Sequence, residues 1–298
     1  MVRITDEELI EELRIRMNEN LRSLNELKLL TSELKVVNKK LEESETLKSH
    51  FISNITNEII NPFTSILGLS KAILSVEKEN WKKVISMVVL IHSEAFALDF
   101  QLKNIFAAAK IEAGDVFPEI GRVDIEGLVS SVIESFQVEA KKRKIQFNFM
   151  FDETRDEDSV FYFKTDAEKL KLILSNLICN SLKYSKDNGI VNVRAWTLNS
   201  ELLVSVQDNG IGISQDYQKV IFDRFNRVEN TITSVNRGHG LGLSINKALL
   251  DILNGEISLQ SENGNGAVFT IRIPEADEEA YLTASDGNEL FFDDKQVF

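Results

Sequence analysis

The chain has 298 residues, 43% hydrophobic and 27% charged, which suits two compact units or one unit with a long helical extension. Its formal charge of −13 argues against a counterion-releasing binder of duplex nucleic acid. No run approaches the roughly 18 apolar residues of a membrane span, no basic stretch and apolar core open the chain, and the single Cys179 with three scattered histidines gives neither a disulfide nor a recognisable zinc site. The expectation is a soluble cytoplasmic protein without structural metal.

Glycine punctuates the sequence unevenly: Gly68 alone precedes Gly114, while Gly210, Gly212, Gly238, Gly240 and Gly242 crowd one short region. The first third is therefore expected to be helical. From Ile10 to Leu41 a heptad places Ile10, Met17 and Leu24 on one seam position and Leu13, Leu27, Leu34 and Leu41 on the other, which predicts a coiled coil of about four to five heptads. Asn20, Thr31 and Asn38 weaken that seam and help fix its register. The alternative is a surface helix packed on its own domain. The apolar phase then shifts through Phe51, Ile55, Ile59, Phe63, Ile66 and Ile73, giving a second amphipathic helix that ends near 77–80. A further helix runs from Trp81 to Ala113, and Gly114 stops it. Such a hairpin buries its broad apolar faces best against a copy of itself, so a four-helix bundle made by a homodimer is expected.

From Val123 onward helical and alternating periods mix. The reading is a helix (Ile125 to Lys142), strands (Ile145 to Phe151 and Val160 to Lys164), a helix (Asp166 to Tyr184) and strands (Ile190–Thr197 and Leu202–Gln207). After the glycine-rich region come a helix near Leu241–Leu253 and strands at Glu256–Gln260 and Ala267–Ile273. That order predicts an α+β sandwich, a sheet backed by helices on one side. Residues 1–46 are read as a coiled-coil signalling helix, 47–115 as a dimerisation hairpin, 120–274 as the sandwich and 275–298 as an acidic, loosely ordered tail. Within that tail Leu290 to Lys295 faintly resembles the first strand and acidic pair of a receiver domain.

Three clusters carry chemistry. Asn176, Asn180, Lys183 and Tyr184 fall on one helix face, two amides, an ammonium and a phenol that packing alone does not require. An amide oxygen can complete a Mg²⁺ shell otherwise made of waters and phosphates, and a lysine can neutralise phosphate charge. Asp208-Asn209-Gly210-Ile211-Gly212 follows a strand, where a carboxylate can accept a purine amino hydrogen and the glycines admit a ligand closely. Gly238-His239-Gly240-Leu241-Gly242 opens a helix whose first amides can meet phosphate. Each alone is weak, since Asp-Asn-Gly is also a common turn.

In this order and spacing the clusters resemble the N, G1 and G2 boxes of sensor histidine kinases, whose ATP-binding domain is shared with gyrase, Hsp90 and MutL; Ile221 to Arg227 resembles the F box. The resemblance covers about 44–274. It implies ATP and Mg²⁺ as cofactors, with Asn180 as the metal ligand and Asp208 reading adenine above Gly210 and Gly212. It places Asn176 and Lys183 along the phosphates and Tyr184 beside the base. Phe222 and Phe225 then anchor a lid over about 214–239, and Arg237, Gly238, Gly240, Leu241 and Gly242 face the phosphates.

The first bundle helix departs from the family. Where members carry a phosphoaccepting His followed by Glu, this chain reads Asn57-Glu58-Ile59-Ile60-Asn61-Pro62. An amide nitrogen is not nucleophilic near neutral pH, so phosphorylation at position 57 is expected to be absent. Glu58 matches the family's general base and Asn61 the residue that positions water to dephosphorylate a response regulator. Pro62 is expected to bend the helix. His50, roughly 10 Å back along the helix, is a poor substitute acceptor. Three functions stay open: a kinase that phosphorylates a histidine of a partner subunit or second kinase, a nucleotide-binding pseudokinase, and a phosphatase acting through Asn61 on a receiver-domain partner.

Overall fold

The structure, a computed structural model, describes residues 6–77, 80–152, 161–222 and 241–277, with the side chains at 6–10, 12–13, 40–55 and 57–58 outside the description. It divides into two compact units, 1–54 and 55–298.

Helix α1 runs unbroken over Asp6–Ile73, and Pro62 lies inside it. The shift of apolar phase that separates two helices in the sequence does not interrupt the backbone, because no glycine or cap intervenes there. Within 11–39 every described side chain is exposed, including Met17, Leu24, Leu27 and Leu34. Helix α2, Trp81–Ala113, ends as its sequence predicts, with Gly114 in the left-handed region (φ 69°) and its N–H bonded to the carbonyl of Ile111.

By length and composition α2 could also cross a membrane, with a window of mean hydropathy 1.4. That differs from the expectation of no such run, because Val84, Ile85, Val88, Val89, Leu90 and Ile91 raise the average enough to offset the polar residues among and after them. The helix nevertheless makes specific protein contacts. Phe96 and Phe100 meet the ring of Phe136 edge-on at 5.1 and 5.9 Å, and Ser93 donates to Glu139 at 2.8 Å.

The sandwich follows. Strand β1 (Gly121–Asp124) pairs with β3 (Tyr162–Thr165), and α3 (Ile125–Ser135) and α4 (Gln137–Lys142) replace the single helix expected over 125–142. Phe136 breaks it (φ −100°, ψ 3°) where its ring turns toward α2. Strand β2 (Gln146–Asp152), helix α5 (Ala167–Tyr184), strands β4 (Ile190–Leu198) and β5 (Glu201–Asp208), short helix α6 (Gln215–Gln218), helix α7 (Gly242–Ile252) and strands β6 (Glu256–Ser261) and β7 (Ala267–Pro274) complete it. The main sheet has the order β2-β4-β5-β7-β6, with β2 parallel to β4 and the other pairs antiparallel.

Helix α5 is the platform. Leu170, Ile173, Leu174, Leu177 and Ile178 are fully buried against inward-facing sheet residues such as Val204, Val206 and Ile271. At about 1.5–3 kcal/mol for each such side chain, this face fixes the helix far more firmly than its propensities would. Asp166 caps its start, accepting from the N–H of Lys169 at 2.9 Å, and also accepts the N–H of Glu119 at 2.7 Å, which ties the segment after α2 to the same point.

Candidate nucleotide site

The C-terminal half of α5 meets the start of α7 at Asn176 and the turn after β5 at Tyr184. Tyr184 closes α5 and its carbonyl accepts the N–H of Ile211 at 3.3 Å, while Ser185 and Gly210 form an isolated bridge. A Cβ at Gly210 would stand 2.2 Å from the Tyr184 carbonyl oxygen, so only glycine lets the turn approach the helix this closely. At Gly212 the backbone is left-handed (φ +68°) and a Cβ would stand 1.9 Å from the Glu262 carbonyl oxygen. The Asp-Asn-Gly sequence is therefore a built cradle held from both sides.

Asp208 lies at its base, 5% exposed. Its Oδ1 accepts the N–H of Gly210 at 2.9 Å. Burial pushes its carboxyl above the usual aspartate range, and the N–H groups of Gly210 and Ala267, which favour the charged form, offset this only in part. Among the described residues no cation pairs with it. Such a carboxylate has acceptor capacity to spend on a donor brought by a ligand. Nearby on α5 the hydroxyls of Ser181 and Ser185 are buried with no hydrogen-bond partner among the described residues.

Along α5 the predicted face is present: Asn176 is buried, and Asn180, Lys183 and Tyr184 are half-buried. The Lys183 ammonium sits 5.0 Å from the centre of the Tyr184 ring. Asn176 faces α7, its Nδ2 donating to Asn246 Oδ1 at 2.9 Å and weakly to the Gly242 carbonyl at 3.4 Å. Asn246 in turn donates to the Ile173 carbonyl at 3.0 Å. Sequence reasoning missed Asn246, although an amide on the apolar stripe of a helix is a visible anomaly. Leu241 is buried at the start of α7, and its carbonyl accepts from Ser244. The thiol of Cys179 is pushed up to about 11 by burial, with Lys183 opposing, so it is protonated at neutral pH.

Phe222 is half-buried beyond α6. Phe225, Arg237, Gly238 and Gly240, with His239, lie outside the described residues, as does the tail from 278 onward. Asn57 and Glu58 occupy helical backbone in α1 without described side chains, whereas Asn61 is exposed beside buried Pro62.

Residues 165–277 match the family described as histidine kinase-, DNA gyrase B- and HSP90-like ATPase. The chain is a relative of the sensor histidine kinases and carries a GHKL ATP-binding domain. It is 29% identical over 250 residues to the circadian input-output histidine kinase CikA of Synechocystis sp., covering 82% of this chain and 33% of that protein. With the sensor histidine kinase TmoS of Ectopseudomonas mendocina it shares 28% over 262 residues, covering 86% and 26%. The chain thus spans a quarter to a third of these relatives' length. The crystal structure of full-length ShkA in complex with AMPPNP has a similar fold (TM-score 0.53, 23% identity, 78% of this chain and 46% of that one). In the GHKL domain of this chain, the glycine cradle and Asp208 fall inside the matched segment.

Proposed function

We propose that this chain binds Mg·ATP in a two-component signalling protein whose own phosphoacceptor position is occupied by Asn57. The observation that supports this most directly is the buried Asp208 carboxylate, set on a cradle that no side chain can enter and offering acceptor capacity to the amino group of adenine. Asn180 supplies one amide oxygen to Mg²⁺, consistent with an ion that takes its other ligands from water and phosphate. Asn176 and Lys183 line the phosphates, Tyr184 packs by the base, and Phe222, Phe225, Arg237, Gly238, Gly240, Leu241 and Gly242 close over them.

The exposed apolar residues of α1 and α2 support a homodimer, and the proposed arrangement, in the cytoplasm, is a coiled coil over 1–46, a bundle over 47–115, the ATP-binding domain over 120–274 and a tail over 275–298. Because both subunits of a homodimer carry Asn57, whose amide has no nucleophilic lone pair, the γ-phosphoryl group passes to a histidine supplied by a different chain, a partner subunit from a second kinase. Glu58 remains as the base. The exposure of Asn61 favours a second reading, in which that amide positions water against the aspartyl phosphate of a receiver domain. A catalytically silent, ATP-gated pseudokinase shares the same site.

The test uses γ-labelled Mg·ATP and mixed dimers of this chain with a copy carrying Asn57→His and Asn180→Ala. Acid-labile label on the second copy supports a working kinase. Its absence, with nucleotide binding intact and the Asn57→His homodimer also unlabelled, sinks the kinase reading. For the phosphatase, unchanged decay of a phospho-regulator with Asn61→Ala removes the second reading.

A further inference from the structure

We propose that Arg143, on the turn between α4 and β2, is a positioning residue for the nucleotide site, a role that rests on the Mg·ATP reading above. An α-helix leaves its last carbonyls without partners. Many helices resolve this with a left-handed glycine, but α5 does not, since Ser185 continues in extended backbone (φ −61°, ψ 153°). Its carbonyls must find donors elsewhere, and each one does. Ser181 O accepts the N–H of Ser185 at 3.0 Å, and Tyr184 O accepts Ile211. The two between them go to one guanidinium: Arg143 Nη1 donates to the carbonyls of Leu182 and, at 2.9 Å, Lys183. Its Nη2 reaches the carbonyl of Ser185 at 2.6 Å.

The guanidinium is itself fixed. Asp187 Oδ1 accepts from Nε at 2.9 Å, and the N–H of Asn188 returns a bond to the Arg143 carbonyl at 3.0 Å. Arg143 therefore grips residues 182–188 through four contacts of one planar fork and a fifth from its own carbonyl, and the fork is a geometry that a lysine's point charge cannot reproduce. Its positive charge also suits the negative end of the α5 dipole.

What it grips is the part of α5 that carries the site. Lys183 and Tyr184 lie between the carbonyls it holds, and the Tyr184 carbonyl is the atom against which Gly210 is packed. Gly210 in turn donates to Asp208. A displaced last turn moves the ammonium, the ring and the cradle together, so Arg143 acts on the ligand through α5 without touching it.

The experiment titrates the full chain with Mg·AMPPNP by calorimetry, alongside nucleotide-free melting. Arg143→Gln is expected to weaken binding about tenfold, and Arg143→Lys, which keeps the charge and loses the fork, about threefold. Asp124→Ala, which removes the cap of α3, is the control for a purely structural loss: it lowers the melting midpoint and leaves affinity unchanged. If Arg143→Gln does not fold, Arg143→Lys decides the question. Affinity within twofold of the parent in the deciding variant overturns the proposal, with Asp208→Asn, expected to weaken binding about a hundredfold, as the control that the titration reports this site. A parent chain that binds no Mg·AMPPNP overturns the nucleotide reading and this proposal with it.

Discussion

The sandwich and the two long helices dispose of their apolar residues in opposite ways. In the sandwich, Ile173, Leu177, Val204 and Ile271 are fully buried within the chain itself, whereas Leu27 and Phe63 on α1 are 64% and 55% exposed, and Val88 and Phe106 on α2 also face solvent. One region closes its own core, and the other leaves large apolar side chains exposed in the single chain, a surface the proposed dimer would cover. The difference separates what folding of a single chain accomplishes from what the proposed assembly would add.

The comparison breaks most easily at the helices. A charge at Phe63 enters the proposed bundle twice by symmetry, so Phe63→Asp is expected to weaken the dimer by about 4 kcal/mol or more. Sedimentation should then show monomers whose nucleotide affinity is unchanged, while a dimer that persists would place the interface elsewhere. Asp208→Asn tests the sandwich in the opposite sense. It should cost about 3 kcal/mol of Mg·ATP binding, roughly a hundredfold in affinity, measured by calorimetry.

The same variant sharpens the contrast through pH. Because the folded carboxyl is raised, Asp208 contributes stability that is fully present below the ordinary aspartate value and is lost as pH rises through the raised one. The ligand-free parent should therefore gain from this group as pH falls through the raised value toward the ordinary aspartate range, and Asp208→Asn should remove that gain and melt higher at neutral pH. Parallel melting-against-pH curves for the two proteins would contradict this.

Smaller effects probe packing within each region. Asn246→Leu leaves the Asn176 amide short of its acceptor in a buried site and is expected to destabilise the sandwich by about 2 kcal/mol in denaturant titration. Gly68→Ala lies at the other end of the scale, since a Cβ there meets nothing within 4 Å. It should stabilise α1 by about 1 kcal/mol, seen as greater helical content on heating.

Much of the sandwich was legible because its periods are clean. The α5, β4, β5, α7, β6 and β7 segments fall within a residue or two of where alternation and helical spacing put them, and Asp166 marks the start of α5 by its side chain as Gly114, by lacking one, marks the end of α2. The break at Phe136 was not legible, since residues 125–142 hold a helical pattern and the turn answers to rings on α2, far away in sequence. Strand β1 is four residues long and pairs with a segment more than 35 positions on, too short for any period to show. In the site, Asp208 and its glycines could be read because close approach leaves a residue-type signature. Arg143 leaves none, and Asn246 only the oddity of an amide on an apolar stripe, because their work depends on which carbonyl the folded chain carries to them.

The pair formed by Asn176 and Asn246 has a directional consequence. A main-chain carbonyl can only accept, so the bond to Ile173 dictates which end of the Asn246 amide is nitrogen. Its oxygen must then turn toward Asn176, and Asn176 must answer with nitrogen. The Asn176 oxygen is left close to Gly242, at the opening turn of α7, where helix amides stand unpaired by the helix itself. Polarity is thus handed from backbone to side chain to side chain, and one acceptor is preorganised toward α7 with its rotamer entropy already spent before any ligand arrives.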